Sequence, residues 1–138
     1  MFESIKQTVS KNFEDRGVTL VTVCEAEAIF VNKELMQSLL VNLADNAAKA
    51  YEPNTTGVVL LKAWGKTIEI EDHGRGIPQD ALSRIFEPFY MVDKSRSKKY
   101  GGSGLGLALV KMIADAHSAA LHVKSQEGKG TVIRLTLP

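Results

Sequence analysis

Cysteine is nearly absent from this sequence: Cys24 is the only one in 138 residues. No intrachain disulfide can form, which suits a reducing compartment. A surplus of charge of one sign is missing too. Seventeen Lys and Arg against 16 Asp and Glu leave a net charge of +1, so bulk charge gives no reason to expect a nucleic-acid binder. No apolar run approaches the roughly 18 residues that a spanning helix needs. The opening Met1-Phe2-Glu3-Ser4 lacks the basic and apolar regions of a secretion signal. The segment is therefore expected to be cytoplasmic, with no membrane contact of its own. Repeats and low-complexity tracts are absent as well. What is present, 44% apolar and 24% charged residues, is the composition of a folded globular domain. A chain of this length makes one domain and buries roughly two-thirds of its unfolded surface, enough to fold without a metal or disulfide staple.

Phe2, Ile5, Val9 and Phe13 recur at helical spacing up to about Arg16, and Gly17 is placed to end that helix. Val18 to Val23 reads as a β-branched strand, with Ala28 to Val31 as a short partner strand. Asn32 is placed to cap a long helix running to about Tyr51, which Pro53-Asn54 then breaks. Val58–Ala63 and Thr67–Glu71 read as a hairpin around Trp64-Gly65-Lys66. A glycine-rich turn follows at 72–76, then one helical turn at Ala81–Ile85. Residues 90–103 have no period and read as either a functional lid or a disordered loop. A helix from about Gly104 to Ala116 and two closing strands, Leu121–Ser125 and Thr131–Leu137, complete the chain. The turn between those strands is Glu127-Gly128-Lys129-Gly130. Strands and helices mix without strict alternation, which predicts an α+β two-layer α/β sandwich: one sheet with helices on one face.

Three features carry chemistry. On the long helix Met36, Leu39, Leu40, Leu43 and Ala47 form the apolar stripe, while Asn42, Asn46 and Lys49 share another face. That face is either plainly solvated or a metal–phosphate face. An Asn carbonyl suits hard Mg²⁺, which keeps waters and shares phosphate oxygens, and a lysine is a compact charge for a phosphate. Second, Asp72-His73-Gly74-Arg75-Gly76 follows a strand. An ionised Asp only accepts hydrogen bonds and so can hold an exocyclic amine such as that of adenine. Gly74 and Gly76 permit close approach of a planar base to the backbone. Third, Gly101-Gly102-Ser103-Gly104-Leu105-Gly106-Leu107 leads into a helix. Backbone N–H groups and the helix dipole favour an anion there. The spacing is neither that of a Walker A loop nor that of a dinucleotide fingerprint.

Together, and in this order, these segments resemble the catalytic and ATP-binding domain of the sensor histidine kinases, within the gyrase, Hsp90, histidine kinase and MutL superfamily. The resemblance runs from about Val18 to Pro138. Residues 39–49 are similar to the family's N box, 72–76 to its first glycine box, 85–90 to its F box and 102–107 to its second glycine box. It implies a Bergerat-type ATP-binding fold with one mixed sheet, and ATP and Mg²⁺ as ligands. It further implies that Asn46 ligates Mg²⁺ with Asn42 beside it, and that Lys49 and Arg96 contact phosphates. Asp72 then holds the adenine amine, framed by Gly74 and Gly76. Gly102, Gly104 and Gly106 let a lid at 90–103 close, and Ile77, Phe89 and Leu105 complete the nucleotide-binding set. Phe86 and Phe89 anchor the lid by packing. Lys94, Arg96, Lys98 and Lys99 make that lid basic, Lys98 and Lys99 being read as solvated.

Two departures bear on mechanism. Asn42 stands where the superfamily's ATPase branches carry a water-activating acid, and a neutral amide is a poor general base. Slow hydrolysis and transfer to a protein acceptor are expected. Tyr51 stands two positions after Lys49, where many relatives have an aromatic directly after the lysine. No histidine reads as a phosphoryl acceptor: His73 is an exposed spacer, His117 ends the last helix where a cation complements the dipole, and His122 lies in a strand. The expected whole is a single domain, 1–138, cut from a longer kinase, with residues 1–17 as helix and linker from the acceptor domain. Its partners are ATP, an acceptor-histidine dimerisation domain and a response regulator, and the isolated domain is expected to be a monomer. The competing expectations are a free-standing serine kinase and anti-sigma factor of the same superfamily, and a non-catalytic nucleotide-binding module.

Overall fold

The computed structural model of the chain describes residues 1–26, 28–92 and 104–138. Helix α1 (Phe2–Asp15) buries Ile5, Val9 and Phe13, one per turn of its apolar stripe. Gly17 then takes φ +69, and its carbonyl accepts the N–H of Gly57 at 3.2 Å. That bond opens a parallel ladder between β1 (Val18–Cys24) and β2 (Gly57–Trp64), with Val18 opposite Gly57. The crossover between these two strands is α2 (Lys33–Lys49). Asn32 caps it as expected, its side chain accepting the N–H of Leu35 at 3.0 Å.

β2 turns back into β3 (Thr67–Asp72), and the chain continues through a 3-10 turn at Gln79–Ala81. Helix α3 (Gly106–Ala116) precedes the hairpin of β4 (Ala120–Gln126) and β5 (Gly130–Thr136). The sheet order is β1-β2-β3-β5-β4, and every pair except β1–β2 is antiparallel. A mixed sheet with helices on one face is thus observed, as the α+β reading expects. Ile5, Phe13, Met36, Leu40, Val110 and Ile113 from the helices meet Leu20, Val59, Leu61, Ile68, Ile70, Ile133 and Leu135 from the strands in one core.

Strand parity decides which polar groups reach that core. Asp72 shares its parity with Ile68 and Ile70 and so faces the helices, as Thr131 does opposite it on β5. Glu69 points to the other face, where Arg134 donates to it at 2.7 and 2.9 Å from two guanidinium nitrogens.

Three local expectations are corrected. Ala28–Val31 forms no strand: Ile29 and Val31 pack partly buried against the core from an irregular segment, while Phe30 is fully exposed. The helical turn expected at Ala81–Ile85 begins earlier, as a 3-10 turn at Gln79–Ala81, and continues as hydrogen-bonded turns in which the Arg84 N–H donates to the Ala81 carbonyl at 2.9 Å. Helix α3 starts at Gly106 because Gly104 is held at φ +74, outside the helical region.

Candidate functional site

The site is built around the second half of α2, where two neighbouring segments are latched to it. The first is the glycine turn after β3. The N–H of Arg75 donates to the carbonyl of Ala50 at 2.9 Å, and its guanidinium donates to the carbonyl of Lys49 at 3.1 Å. Both carbonyls belong to the open C-terminal end of α2. A Cβ on Gly74 would lie 2.5 Å from the Ala50 carbonyl oxygen, so only glycine lets the turn approach this closely. Gly76, at φ +72, has the backbone of Gln126 at 2.1 Å from where its Cβ would sit. These glycines first serve the approach of backbone to backbone. Tyr51 adds a further tie, accepting the N–H of His73 at 2.9 Å and donating to the Val58 carbonyl at 2.6 Å. Its ring lies against Gly57, where a Cβ would sit 2.6 Å away. The position of Tyr51 in the sequence predicts nothing of this role.

Asp72, at the mouth of this turn, is 6% exposed. Its Oδ1 accepts the N–H of Gly74 at 2.9 Å. Burial pushes its carboxyl up to about 6, against the opposing pull of the Gly74 N–H, the nearby His73 and Arg75 charges, and the Thr131 N–H. Among the described residues no cation forms an ion pair with it. Glu69, the other buried carboxylate, has Arg134 for that purpose. A buried carboxylate without an ion pair is costly to ionise, which marks Asp72 as a functional candidate. Ser125 supports the turn from β4: its hydroxyl accepts the N–H of Ile77 at 2.7 Å and lies 2.8 Å from that of Thr131. Ser125 and Thr131 carry no motif signal; only strand pairing brings them here.

The second latched segment is the start of α3. A Cβ on Gly106 would stand 3.0 Å from Oδ1 of Asn42. The amide nitrogen of Asn42 donates to the Ser38 carbonyl one turn back at 2.8 Å, which turns the amide oxygen toward α3. The first turn of α3 has neither a side-chain cap nor an acidic residue, so its N–H groups suit an anion. The N box and the second glycine box thus meet at Asn42 and Gly106.

Asn46 is half-buried on α2. Its amide makes no hydrogen bond to other described residues. A half-buried amide oxygen with open valence fits one protein ligand to Mg²⁺, whose remaining positions go to water and phosphate. Among the described residues no cluster of three His, Cys, Asp or Glu could cage a metal without such help. Lys49 lies in the last turn of α2 and pairs with Asp45 at 2.8 Å.

Phe86 packs against the core and the ring of Phe89 is 70% exposed, while most of the lid they are expected to anchor lies outside the described residues. The backbone of Phe89 is fixed by its neighbours. Phe89 takes φ +63, and its N–H donates to the Gly104 carbonyl at 2.8 Å. Gly104 and Phe89 are so close that a Cβ on the glycine would lie 2.8 Å from the Phe89 Cα. Ile77 and Leu105 flank the two latched segments. Arg96 and Gly102, with Lys94, Lys98 and Lys99, lie outside the described residues.

His117 departs from the cationic reading. Its Nδ1 lies 2.8 Å from the Ile113 carbonyl, which only accepts, and its Nε2 lies 3.1 Å from the Asn32 N–H, which only donates. The ring fits both partners as the neutral Nδ1–H tautomer. His73 is exposed as expected, with Glu71 at 3.4 Å.

A separate cleft of about 460 Å³ lies between the end of α1 and residues 51–55. Glu14, Asp15 and Glu52 line it with the single cation Arg16, a lining that repels phosphate and shares only Tyr51 with the site above.

A sequence model of the family described as histidine kinase-, DNA gyrase B- and HSP90-like ATPase matches residues 31–138. The sensor protein kinase WalK of Staphylococcus haemolyticus is 51% identical over 129 residues, covering 89% of this chain and 21% of WalK. The sensor histidine kinase YkoH of Bacillus subtilis is 34% identical over 132 residues, covering 96% of this chain and 29% of YkoH. The chain thus spans less than a third of these relatives. Among solved structures, the mycobacterial sensor histidine kinase MprB superposes with a TM-score of 0.79 at 27% identity, over 100% of this chain and 93% of that one. Full-length ShkA in complex with AMPPNP gives a TM-score of 0.80 at 26% identity, over 99% of this chain and 28% of that one.

Proposed function

Because the chain belongs to the family of histidine kinase-, DNA gyrase B- and HSP90-like ATPases, we infer that it is the ATP-binding catalytic domain of a sensor histidine kinase. The observation that carries this reading is the buried carboxylate of Asp72, which forms no ion pair among the described residues and is held on a turn hydrogen-bonded to the end of the helix bearing Asn46 and Lys49. An amine donor, such as the exocyclic group of adenine, is the partner that ionised Asp72 lacks. The full-length ShkA complex with AMPPNP supports an ATP-like ligand for this fold.

In this reading the adenine amine donates to Asp72. The triphosphate runs along α2 toward the start of α3, past Lys49, with Arg96 from the lid segment at 90–103. Asn46 holds Mg²⁺, which neutralises phosphate oxygens when bound, and Asn42 stands beside it. A ring nitrogen of a histidine on a separate acceptor domain attacks the γ-phosphorus. The bond to the β–γ bridging oxygen breaks, and ADP leaves. The phosphoryl group then passes to an aspartate of a response regulator. Catalysis is positioning and charge neutralisation. Asn42 cannot take a proton from water, which favours transfer over hydrolysis. Residues 1–17 join the acceptor domain, and the domain works in the cytoplasm. The sensor kinases WalK and YkoH favour this reading over a free-standing serine kinase.

Calorimetry with Mg-ATP tests the nucleotide site: the native chain binds, and Asp72→Asn loses most of the affinity. Unchanged affinity in that variant overturns the adenine assignment. Incubation with γ-labelled ATP and a supplied acceptor-histidine domain tests the transfer. An acid-labile phosphohistidine is expected; an acid-stable phosphoserine, or firm binding with no transfer, refutes the histidine kinase reading.

A further inference from the structure

Asp45 immediately precedes Asn46 but faces a different side of α2, toward α1. There its Oδ1 accepts from the side-chain amide of Asn12, and its Oδ2 pairs with the Lys49 ammonium at 2.8 Å. The orientation of the Asn12 amide follows from chemistry. A carboxylate only accepts, so the NH₂ must face Asp45, and the amide oxygen then accepts from Nε of Arg16 at 3.3 Å. The result is a chain of four side chains, Arg16–Asn12–Asp45–Lys49, that begins on α1 and ends on the lysine read above as a phosphate contact.

An exposed Asp–Lys pair one turn apart is ordinarily weak, because two mobile side chains must be held in one geometry. Here that cost is reduced on the carboxylate side. Asn12 fixes the Asp45 carboxylate and decides which oxygen it presents to the lysine. Both members of the pair are only about a third exposed, at 31% and 34%.

We propose that Asp45 is a positioning residue that holds Lys49 back from the phosphates, and that Asn12 on α1 sets the strength of that hold. The inference rests on the reading of Lys49 as a phosphate contact. Mg-ATP must draw the ammonium away from a carboxylate that neutralises much of its charge. Whatever shifts α1 against α2 shifts Asp45 and so the availability of Lys49. A helix with no residue of its own in the nucleotide site thereby acts on the affinity of that site.

The test uses the 138-residue chain at about 0.15 M salt, where long-range charge effects are screened beyond about 8 Å. Calorimetry compares Mg-ATP with adenosine, which keeps the amine and lacks the phosphates. Asp45→Asn is expected to bind Mg-ATP about three- to tenfold more tightly, with adenosine binding unchanged. Asn12→Ala is expected to move ATP affinity in the same direction by a smaller factor. In a Lys49→Ala background, Asp45→Asn is expected to change ATP affinity less than twofold. Equal ATP affinity in Asp45→Asn and the native chain overturns the proposal, as does a gain that persists undiminished without Lys49 or appears equally with adenosine. If Lys49→Ala alone leaves ATP affinity unchanged, the phosphate role of Lys49 fails instead, a result distinct from failure of the hold. Should Asp45→Asn not fold, the Asn12→Ala comparison decides by the same criteria.

Discussion

Replacing Asp72 by Asn should make the protein more stable at neutral pH while removing its nucleotide affinity. Burial raises the carboxyl from 3.8 to about 6, and each pH unit of that gap is worth about 1.4 kcal/mol. The ionised carboxylate therefore costs the fold about 3 kcal/mol. The sign follows from proton uptake. Below 3.8 the carboxyl is protonated in both folded and unfolded chains, and nothing is lost. Between 3.8 and about 6 the unfolded chain ionises first, so stability falls as pH rises, and the loss is complete above 6. An amide at position 72 carries no charge and escapes this loss. Its oxygen can still accept from Gly74, but its NH₂ cannot also accept from Thr131, which costs about 1 kcal/mol.

The net expectation is that Asp72→Asn gains about 2 kcal/mol near pH 7.5. Near pH 4, where the native penalty has nearly vanished, the variant should be equal or slightly less stable. Urea unfolding of both proteins at the two pH values measures this, and the difference between variants cancels the titration of all other groups. A variant less stable by the same amount at both pH values refutes the argument, because it would mean that Asp72 ionises without cost. The same carboxylate predicts a binding profile. Adenosine affinity should fall about tenfold between pH 7 and pH 5, as roughly nine-tenths of Asp72 becomes protonated. Adenosine is the ligand of choice because a terminal phosphate titrates near 6 itself.

Gly76→Ala forces a side chain to within 2.1 Å of the Gln126 carbonyl oxygen at φ +72; a fall in Tm of about 10 °C or more is expected in a thermal melt, and a near-native Tm contradicts the close approach. Tyr51→Phe leaves the His73 N–H and the Val58 carbonyl without their shared hydroxyl, for a cost of about 1–2 kcal/mol in urea unfolding. The loosened turn should also weaken adenosine binding. His117→Phe removes the acceptor for the Asn32 N–H and should cost about 1 kcal/mol. Faster hydrogen exchange at Asn32 distinguishes this from a general loss of packing.

Much of the fold was legible because its signals are local. Ile5, Val9 and Phe13 recur at helical spacing whatever they pack against, and Asn32 caps α2 through a bond to a residue three positions on. The N box, the glycine turn and the start of α3 could each be placed on an element for the same reason. What could not be read are consequences of pairing across the chain. Ile29 and Val31 alternate like a strand, yet β1 pairs with a segment more than 30 residues away, Val18 with Gly57, and the alternating segment remains irregular. Ser125, Thr131 and Tyr51 enter the site through partners 48, 6 and 22 positions distant, and no spacing rule marks them. An aromatic residue at position 89 predicts packing, but its left-handed backbone, bonded to Gly104, leaves the ring 70% exposed.

The glycines show why the motif was recognisable before its geometry was. In sequence they suggest room for a ligand. In the structure, Gly74 and Gly76 first let backbone meet backbone, against Ala50 and Gln126, and Gly106 admits the amide of Asn42. A side chain at Gly74 would push the turn away from α2, one at Gly76 would push it away from Gln126, and one at Gly106 would crowd the Asn42 amide, so the placing of Asp72 beside the helix that carries Asn46 and Lys49 depends on Gly74 above all. The cost of burying this carboxylate is partly offset by the Gly74 N–H, the nearby His73 and Arg75 charges and the Thr131 N–H, with no ion pair to it among the described residues. That choice keeps Asp72 an acceptor open to an incoming amine. It also explains why one substitution, Asp72→Asn, should raise stability and abolish binding together.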